Sequence, residues 1–213
     1  PVMILAALAL ALVLDSLLVK RVTVFRLGFF LPYAIPGIVA AIMWLYMYNP
    51  SFSPINELLG LVGLKVDFFG RNIILWSMAN ITTWTFTGYN MLIFLAALQS
   101  VPRELYEAAR IDGASEIRIF FTIVLRLLAP AMVTIFLFIF VATWNNFFLP
   151  LMTINSAELK PVTLGLYGMS TYFNPQYGAL LQGALLGVIP LIVLFLGLQR
   201  FWQSGLAAGA VKG

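Results

Sequence analysis

The chain has 213 residues, 62% of them hydrophobic and 9% charged, with a formal net charge of +4. Soluble domains run at roughly 45–50% apolar and about 25% charged. At a mean hydropathy of +0.99, a water-soluble fold would have too little polar surface to cover itself, and disorder, which needs low hydrophobicity and high charge, is excluded as well. Cysteine and histidine are both absent, which removes Cys/His metal sites, thiol chemistry, disulfides and any Ser-His-Asp triad.

A helix crosses a bilayer in roughly 20 apolar residues, and five stretches are long enough. The first runs from Val2 to Val19. No basic segment precedes it and no small-residue cleavage site follows it, so it reads as a span and not as a signal peptide. Because the chain opens on Pro1, one further helix upstream is expected. The second span, Leu27 to Tyr48, contains Pro32 and Pro36. An outer loop over 49–71 follows, with turn signals at Asn49-Pro50, Ser53-Pro54 and Gly60. Within it, Pro54-Ile-Asn-Glu-Leu-Leu-Gly60 is expected to form a short interfacial helix. The third span, Ile73 to Leu98, leads to a charged connection. The fourth, about Ile119 to Trp144, contains Pro130. Residues 147–177, with Pro150, Pro161, Gly165, Gly168 and Pro175, read as a folded loop lying on the membrane. The fifth span, Gly178 to Phe201, contains Pro190. All five are too long for barrel strands and none alternates polar with apolar, so in lipid each must be a helix. The fold class is therefore an all-α polytopic membrane protein, with 1–213 as one transmembrane domain. The prolines favour kinks, which are either ordinary transmembrane features or joints that let helices part around a pathway.

Orientation follows from lysine and arginine. Lys20, Arg21, Arg26, Arg103, Arg110, Arg118, Arg126, Arg200 and Lys212 fall on one side, and Lys65, Arg71 and Lys160 on the other. The richer side is cytoplasmic by this rule. Trp44, Tyr46, Tyr48, Trp76 and Trp202 sit near the expected interfaces, where aromatic anchors belong. Asp15 is the one acid within an expected span, placed to reach the interface or to pair with Lys20 or Arg21.

The cytoplasmic connection from Gln99 to Arg118 has the marks of a short helix outside the bilayer. Pro102 suits a first turn, Glu104 lies near the positive end of the dipole, and Gly113 is a C-terminal stop. Arg103 with Glu107, and Glu107 with Arg110, are spaced to pair. A second helix can start near Ser115. Ala108 and Ala109 allow close backbone approach, so the helix either docks into a groove on another protein or rests on lipid headgroups.

Glu107-Ala108-Ala109, three residues, Gly113, nine residues, then Ile123 and Leu125 resembles the EAA motif of ABC importer permeases. The wording from Ser100 to Ser115 is similar to the carbohydrate-uptake branch, and the resemblance covers nearly the whole chain. Phe29-Phe-Leu-Pro-Tyr33 and Asn49-Pro50 with Ile55-Asn56 are similar to one permease of the maltose-type pair. Trp144-Asn-Asn-Phe with Pro150-Leu151, and the ending Gly205 to Gly213, resemble the other. The resemblance implies a type I, maltose-type importer transmembrane domain whose EAA helix enters a cleft of a cytoplasmic ATPase subunit. It implies Glu107, Ala108, Ala109, Asp112 and Gly113 as the coupling contact, with Glu107 making a charged contact there. Arg126 stands where the motif usually has proline, a loss that should straighten the start of the fourth span.

The four lysines are followed by Arg, Val, Pro and Gly, so no P-loop is present. Energy must come from a partner or an ion gradient. The third span places Asn80, Thr83, Thr87 and Asn90 on one face, flanked by Trp84 and Tyr89, and the fourth ends in Thr143, Trp144, Asn145 and Asn146. Amides, hydroxyls and rings of this kind suit a sugar, and they equally suit hydrogen bonds between helices. The candidate pathway is Asn80, Thr83, Thr87, Tyr89, Asn90, Trp144, Asn145 and Asn146. The expected function is the permease subunit of an ATP-driven sugar importer in a bacterial or archaeal cytoplasmic membrane. Its expected partners are two copies of an ABC ATPase subunit, a second permease chain, an extracytoplasmic solute-binding protein and the lipid bilayer. No nucleic acid is expected, and no cofactor on this chain, with ATP and magnesium held by the partner. The alternatives are an ion-coupled secondary transporter, disfavoured by the scarcity of ionisable residues in the spans, and a non-transporting scaffold.

Overall fold

A computed structural model describes residues 1–16, 21–170 and 177–210, with side chains to 199. Every regular element among the described residues is helical, with twelve α-helices: α1 (Val2–Asp15), α2 (Val22–Ala34), α3 (Gly37–Met47), α4 (Pro54–Gly60), α5 (Ile74–Gln99), α6 (Arg103–Ile111), α7 (Glu116–Ile119), α8 (Leu125–Leu127), α9 (Ala129–Trp144), α10 (Phe148–Thr153), α11 (Val162–Met169) and α12 (Tyr177–Ala210). A π-helical turn, Phe120–Val124, joins α7 to α8, and a 3₁₀ turn, Ala157–Leu159, precedes α11.

By length and composition α5 and α12 can each cross a membrane, and there are up to four spans if two bent helix pairs count as one each. The expected five spans are thus not all continuous helices over the described residues. The first span stops at Asp15, because Ser16 turns to extended backbone at ψ 141°. Its 14 residues reach about 21 Å at ~1.5 Å per residue. Residues 17–19 of that expected span lie outside the described residues. The second span is divided before Pro36, which sits at the N-cap of α3 and disfavours helix at the residue ahead of it. Pro32 is accommodated inside α2.

The fourth span is not straightened by Arg126, contrary to expectation. Arg126 lies in α8, just after the π-turn, and the helix then bends by 60° at Leu128. Pro130 falls in the first turn of α9, where its missing N–H costs no helix bond.

The chain divides into two compact units, Pro1–Tyr33 with Thr85–Ile139 and Val193–Gly213, and Ala34–Trp84 with Phe140–Ile192. The first has a core of Ala7, Leu8 and Ala11 from α1, Met91, Phe94, Leu95 and Leu98 from α5, and Ile119, Val124, Leu128 and Ile135 beyond. Alanines on α1 let the helices approach. At Gly88 the approach is closer still, since an added Cβ would lie 1.8 Å from the Phe29 carbonyl oxygen.

The second unit is centred on Ala41, Tyr48, Ile81 and Leu149. Tyr48 is 3% exposed and stacks on Phe68 with centroids 4.3 Å apart. It is therefore a core residue, which corrects its reading as an interfacial anchor. Tyr46 and Trp76 are exposed, in keeping with that reading, and the Trp202 side chain lies outside the described residues.

Candidate functional site

The connection after α5 is built by its caps. Pro102 serves as the N-cap of α6 with φ −59°. Glu104 in the first turn and Arg110 in the last complement the helix dipole. Past the C-cap Asp112, Gly113 has φ +77°, a left-handed conformation open to glycine. Its N–H donates to the Arg110 carbonyl at 3.0 Å, and the Ala114 N–H donates to the Ala109 carbonyl at 2.9 Å. These two bonds form a Schellman closure. Ser115 then caps α7, its hydroxyl accepting from the Arg118 N–H at 3.4 Å. The helix, the stop at Gly113 and the restart at Ser115 all fall where the sequence put them.

The two sides of α6 differ. Arg103, Tyr106, Glu107 and Arg110 line a cavity of ≈ 920 Å³ together with Asp15, Ser16 and Glu116. Burial and, after it, the Asp15 carboxylate push the Tyr106 phenol above its ordinary value, so it stays neutral at physiological pH. Tyr106 and Ala109 also pack against the first core. On the outward side Ala108 is exposed, Ile111 is 86% exposed and, past the turn, Ile117 is 73% exposed. Asp112 and Gly113 are exposed between them. The five sequence-derived coupling residues thus share one short segment but not one face.

The expected pairs of Glu107 with Arg103 and with Arg110 do not form. Arg110 donates instead to Glu116, Nε to Oε1 at 2.7 Å and Nη2 to Oε2 at 3.2 Å. The turn at Gly113 brings Glu116 back onto Arg110, and a two-pronged guanidinium–carboxylate bond outcompetes a single contact along the helix. The Arg110 bond holds the Glu116 carboxyl below its ordinary value, and Glu116 raises that of Arg110. Glu116 is a site residue that spacing alone does not reveal. Asp15 lines the cavity without an ion pair to Arg21, because the ion pairs among the described residues are Arg110–Glu116 and Arg71–Glu158. Its other expected partner, Lys20, lies outside the described residues.

The candidate pathway residues fall into several environments. Asn80 donates from Nδ2 to the Tyr48 hydroxyl at 2.8 Å. Thr83 and Thr87 are half-buried on α5. Tyr89 stacks on Tyr33 at 4.5 Å. Asn90 is fully buried, and neither Nδ2 nor Oδ1 has a hydrogen-bond partner. Trp144 stacks on Phe140 and donates from its indole to the Gly187 carbonyl at 3.0 Å. That ties α9 to α12 beside a ≈ 320 Å³ apolar cavity. Asn145 bonds back to the Val141 carbonyl at 2.9 Å. The Asn146 carbonyl accepts from Thr163 at 3.0 Å. Asn80, Trp144 and Asn145 are thus already engaged with protein, whereas Asn90 is not.

Residues 3–206 match a family described as binding-protein-dependent transport system inner membrane component. The chain is 37% identical over 113 residues to the arabinooligosaccharides transport system permease protein AraQ of Halalkalibacterium halodurans, which covers 53% of this chain and 40% of that one. It is 34% identical over 189 residues to the diacetylchitobiose uptake system permease protein DasC of Streptomyces coelicolor, covering 89% of this chain and 62% of that one. It therefore spans less than two thirds of the length of these relatives. The fold matches a bacterial alginate ABC transporter, solved in complex with an alginate pentasaccharide-bound periplasmic protein. That match has a TM-score of 0.75 and 18% identity, over 92% of this chain and 70% of that one.

Proposed function

The chain belongs to the family of binding-protein-dependent transport system inner membrane components, and from that premise we propose that it is the membrane-spanning permease subunit of an ATP-driven ABC importer for a sugar. The observation that carries the reading is the α6–Gly113–α7 segment. A capped, glycine-closed helical elbow carries the Glu107-Ala108-Ala109 motif and exposes Ala108, Ile111 and Asp112. An apolar face of this kind, next to charge, suits insertion into a cleft of a cytoplasmic ATPase.

In this reading the chain is not an enzyme. Two ATPase copies bind and hydrolyse ATP, a second permease chain completes the pathway, and an extracytoplasmic binding protein delivers the sugar to the outer loops. The site is a multi-pass protein's cytoplasmic elbow in a bacterial or archaeal inner membrane. Glu107, Ala108, Ala109, Asp112 and Gly113 form the coupling contact. Asn80, Thr83, Thr87, Tyr89, Asn90, Trp144, Asn145 and Asn146 serve the pathway, with amides and hydroxyls for sugar hydroxyls and rings for the apolar sugar face. The oligosaccharide permeases among its relatives support a sugar as cargo.

The test is co-purification and uptake in reconstituted vesicles. A nucleotide-binding subunit should co-purify with this chain and be lost on Glu107→Lys or Gly113→Pro, and uptake should require ATP. Uptake that persists without ATP but collapses with the ion gradient would sink the reading in favour of a secondary transporter.

A further inference from the structure

The outer loop between α3 and α5 is a built object with an apolar tip. Its base is tightly fixed. Ser53 caps α4 by accepting from the Asn56 N–H at 3.0 Å, and its hydroxyl donates to the Met47 carbonyl at 2.6 Å. The Asn56 amide clamps the far strand of the loop, donating to the Val66 carbonyl at 2.8 Å and accepting from the Val66 N–H at 2.9 Å. Ser77 holds the Phe68 carbonyl at 2.8 Å, and Phe68 stacks on the buried Tyr48.

Between the clamped ends runs Leu58-Leu-Gly-Leu-Val-Gly-Leu64, without one polar side chain. Leu58 is 67% exposed, Leu61 83%, Val62 71% and Leu64 57%. A loop this well anchored does not expose four large aliphatic side chains by default, and such patches mark interaction surfaces.

We propose that this tip is an interfacial anchor that inserts into the outer leaflet of the bilayer. Three observations select lipid over a protein partner. First, protein-binding hot spots are enriched in Trp, Tyr and Arg, with Leu and Val under-represented, and this tip consists of Leu, Val and Gly. Second, it carries no charge to register a partner. Third, exposed aromatic and aliphatic side chains flank it on both sides in the chain. At one end exposed Phe52 pairs with exposed Tyr46 of α3, centroids 5.2 Å apart. At the other, Leu75 and Trp76 in the first turn of α5 are 54% and 76% exposed. Aromatic residues flanking an aliphatic wedge are the pattern of a segment lying in the interface.

The chain contains no cysteine, so a single introduced thiol reports one position. Leu61→Cys, at a site too exposed to disturb folding, and Glu57→Cys as a solvent control each carry an environment-sensitive nitrobenzoxadiazole label. Both are placed in the permease assembly, made with cysteine-free partners, in phosphatidylcholine–phosphatidylglycerol vesicles. The Leu61 label should emit to the blue of the Glu57 label, lose emission to lipids brominated near the headgroup end of the acyl chain, and be shielded from aqueous iodide. Equal iodide quenching of the two labels would overturn the proposal. So would shielding that appears only on adding the binding protein, which would assign the tip to that protein. Shielding in detergent with no quenching by brominated lipid would also overturn it, assigning the tip to the second permease chain.

Discussion

Arg110 and Glu116 are six residues apart on different helices, yet they form a two-pronged bridge, with Nε to Oε1 at 2.7 Å and Nη2 to Oε2 at 3.2 Å. The bridge spans the Gly113 turn and links α6 to the start of α7. Both side chains are more than half exposed, so the pair adds little to global stability and its effect should be on coupling. Arg110→Ala and Glu116→Ala should each lower ATPase stimulation by the loaded binding protein about two- to fivefold, the range open to an exposed ion pair. The swap Arg110→Glu with Glu116→Arg should recover most of it. The Glu116 carboxyl is held below its ordinary value. The bridge is therefore complete above the ordinary carboxylate value of about 4.3 and is lost as pH falls through the lowered one. Its contribution should be flat across neutral pH, and a pH titration of coupled ATPase activity that lost the Arg110 dependence near neutrality would contradict this assignment.

Gly113 separates backbone from contact as a cause. Its φ is +77° and nothing lies within 4 Å of an added Cβ, so Gly113→Ala adds strain without a clash. A left-handed alanine costs about 1–2 kcal/mol, which should weaken capture of the ATPase subunit roughly five- to thirtyfold if the elbow must keep this shape. Asn tolerates the left-handed region better, so Gly113→Asn should fall between the two. Binding of purified ATPase to the reconstituted variants measures the series. Equal affinities would show that the turn itself is not needed.

Much of this architecture was legible in the sequence where one physical cause dominates. Helix α4 occupies Pro54–Gly60 as its turn signals and proline require, α5 lies within one residue of the expected span at either end, and the α6 elbow stops at the glycine that must stop it. The reading failed where two causes compete. Hydropathy counted the stretches around Pro36 and Leu128 as continuous, because a window of apolar residues does not register a backbone break. Tyr48 was placed at the interface because proximity to a span end cannot distinguish a ring facing lipid from one stacked on Phe68. Charge spacing paired Glu107 along its own helix, since i,i+4 rules know nothing of a residue returned by a turn. In the candidate site the short helix that carries Glu107-Ala108-Ala109 and its glycine stop were legible, whereas the burial of Asn90 without partners was not, because satisfaction is a property of surroundings and not of spacing.

Gly88 fixes how closely α2 approaches α5. A Cβ there would lie 1.8 Å from the Phe29 carbonyl oxygen and 2.3 Å from its carbon, and backbone cannot yield as a side-chain tip can. Gly88→Ala should destabilise the chain by about 1–3 kcal/mol or more, the cost of overpacking a fitted contact. Gly28→Ala, with nothing within 4 Å, should be close to neutral. Thermal unfolding in detergent, followed by loss of monodisperse protein, compares the two. An unchanged midpoint for Gly88→Ala would mean that this contact is not part of the folded state.

Asn90 poses the sharpest conflict between stability and function. Its amide is fully buried and makes no hydrogen bond from either polar atom, so the folded state bears an unmet desolvation cost of about 1–3 kcal/mol. Leucine has the same branched outline and nothing to satisfy. Asn90→Leu should therefore raise the thermal midpoint of the substrate-free protein. If the amide served packing alone, uptake would be retained or improved with it. If instead it finds its partner in another state of the transport cycle, whether a sugar hydroxyl or a backbone group brought to it by helix movement, the stabilised variant should bind its ATPase normally and transport poorly. Measured together, midpoint and uptake decide between these outcomes. A higher midpoint with full uptake would remove Asn90 from the pathway, whereas a higher midpoint with lost uptake would identify the buried amide as a cost retained for transport.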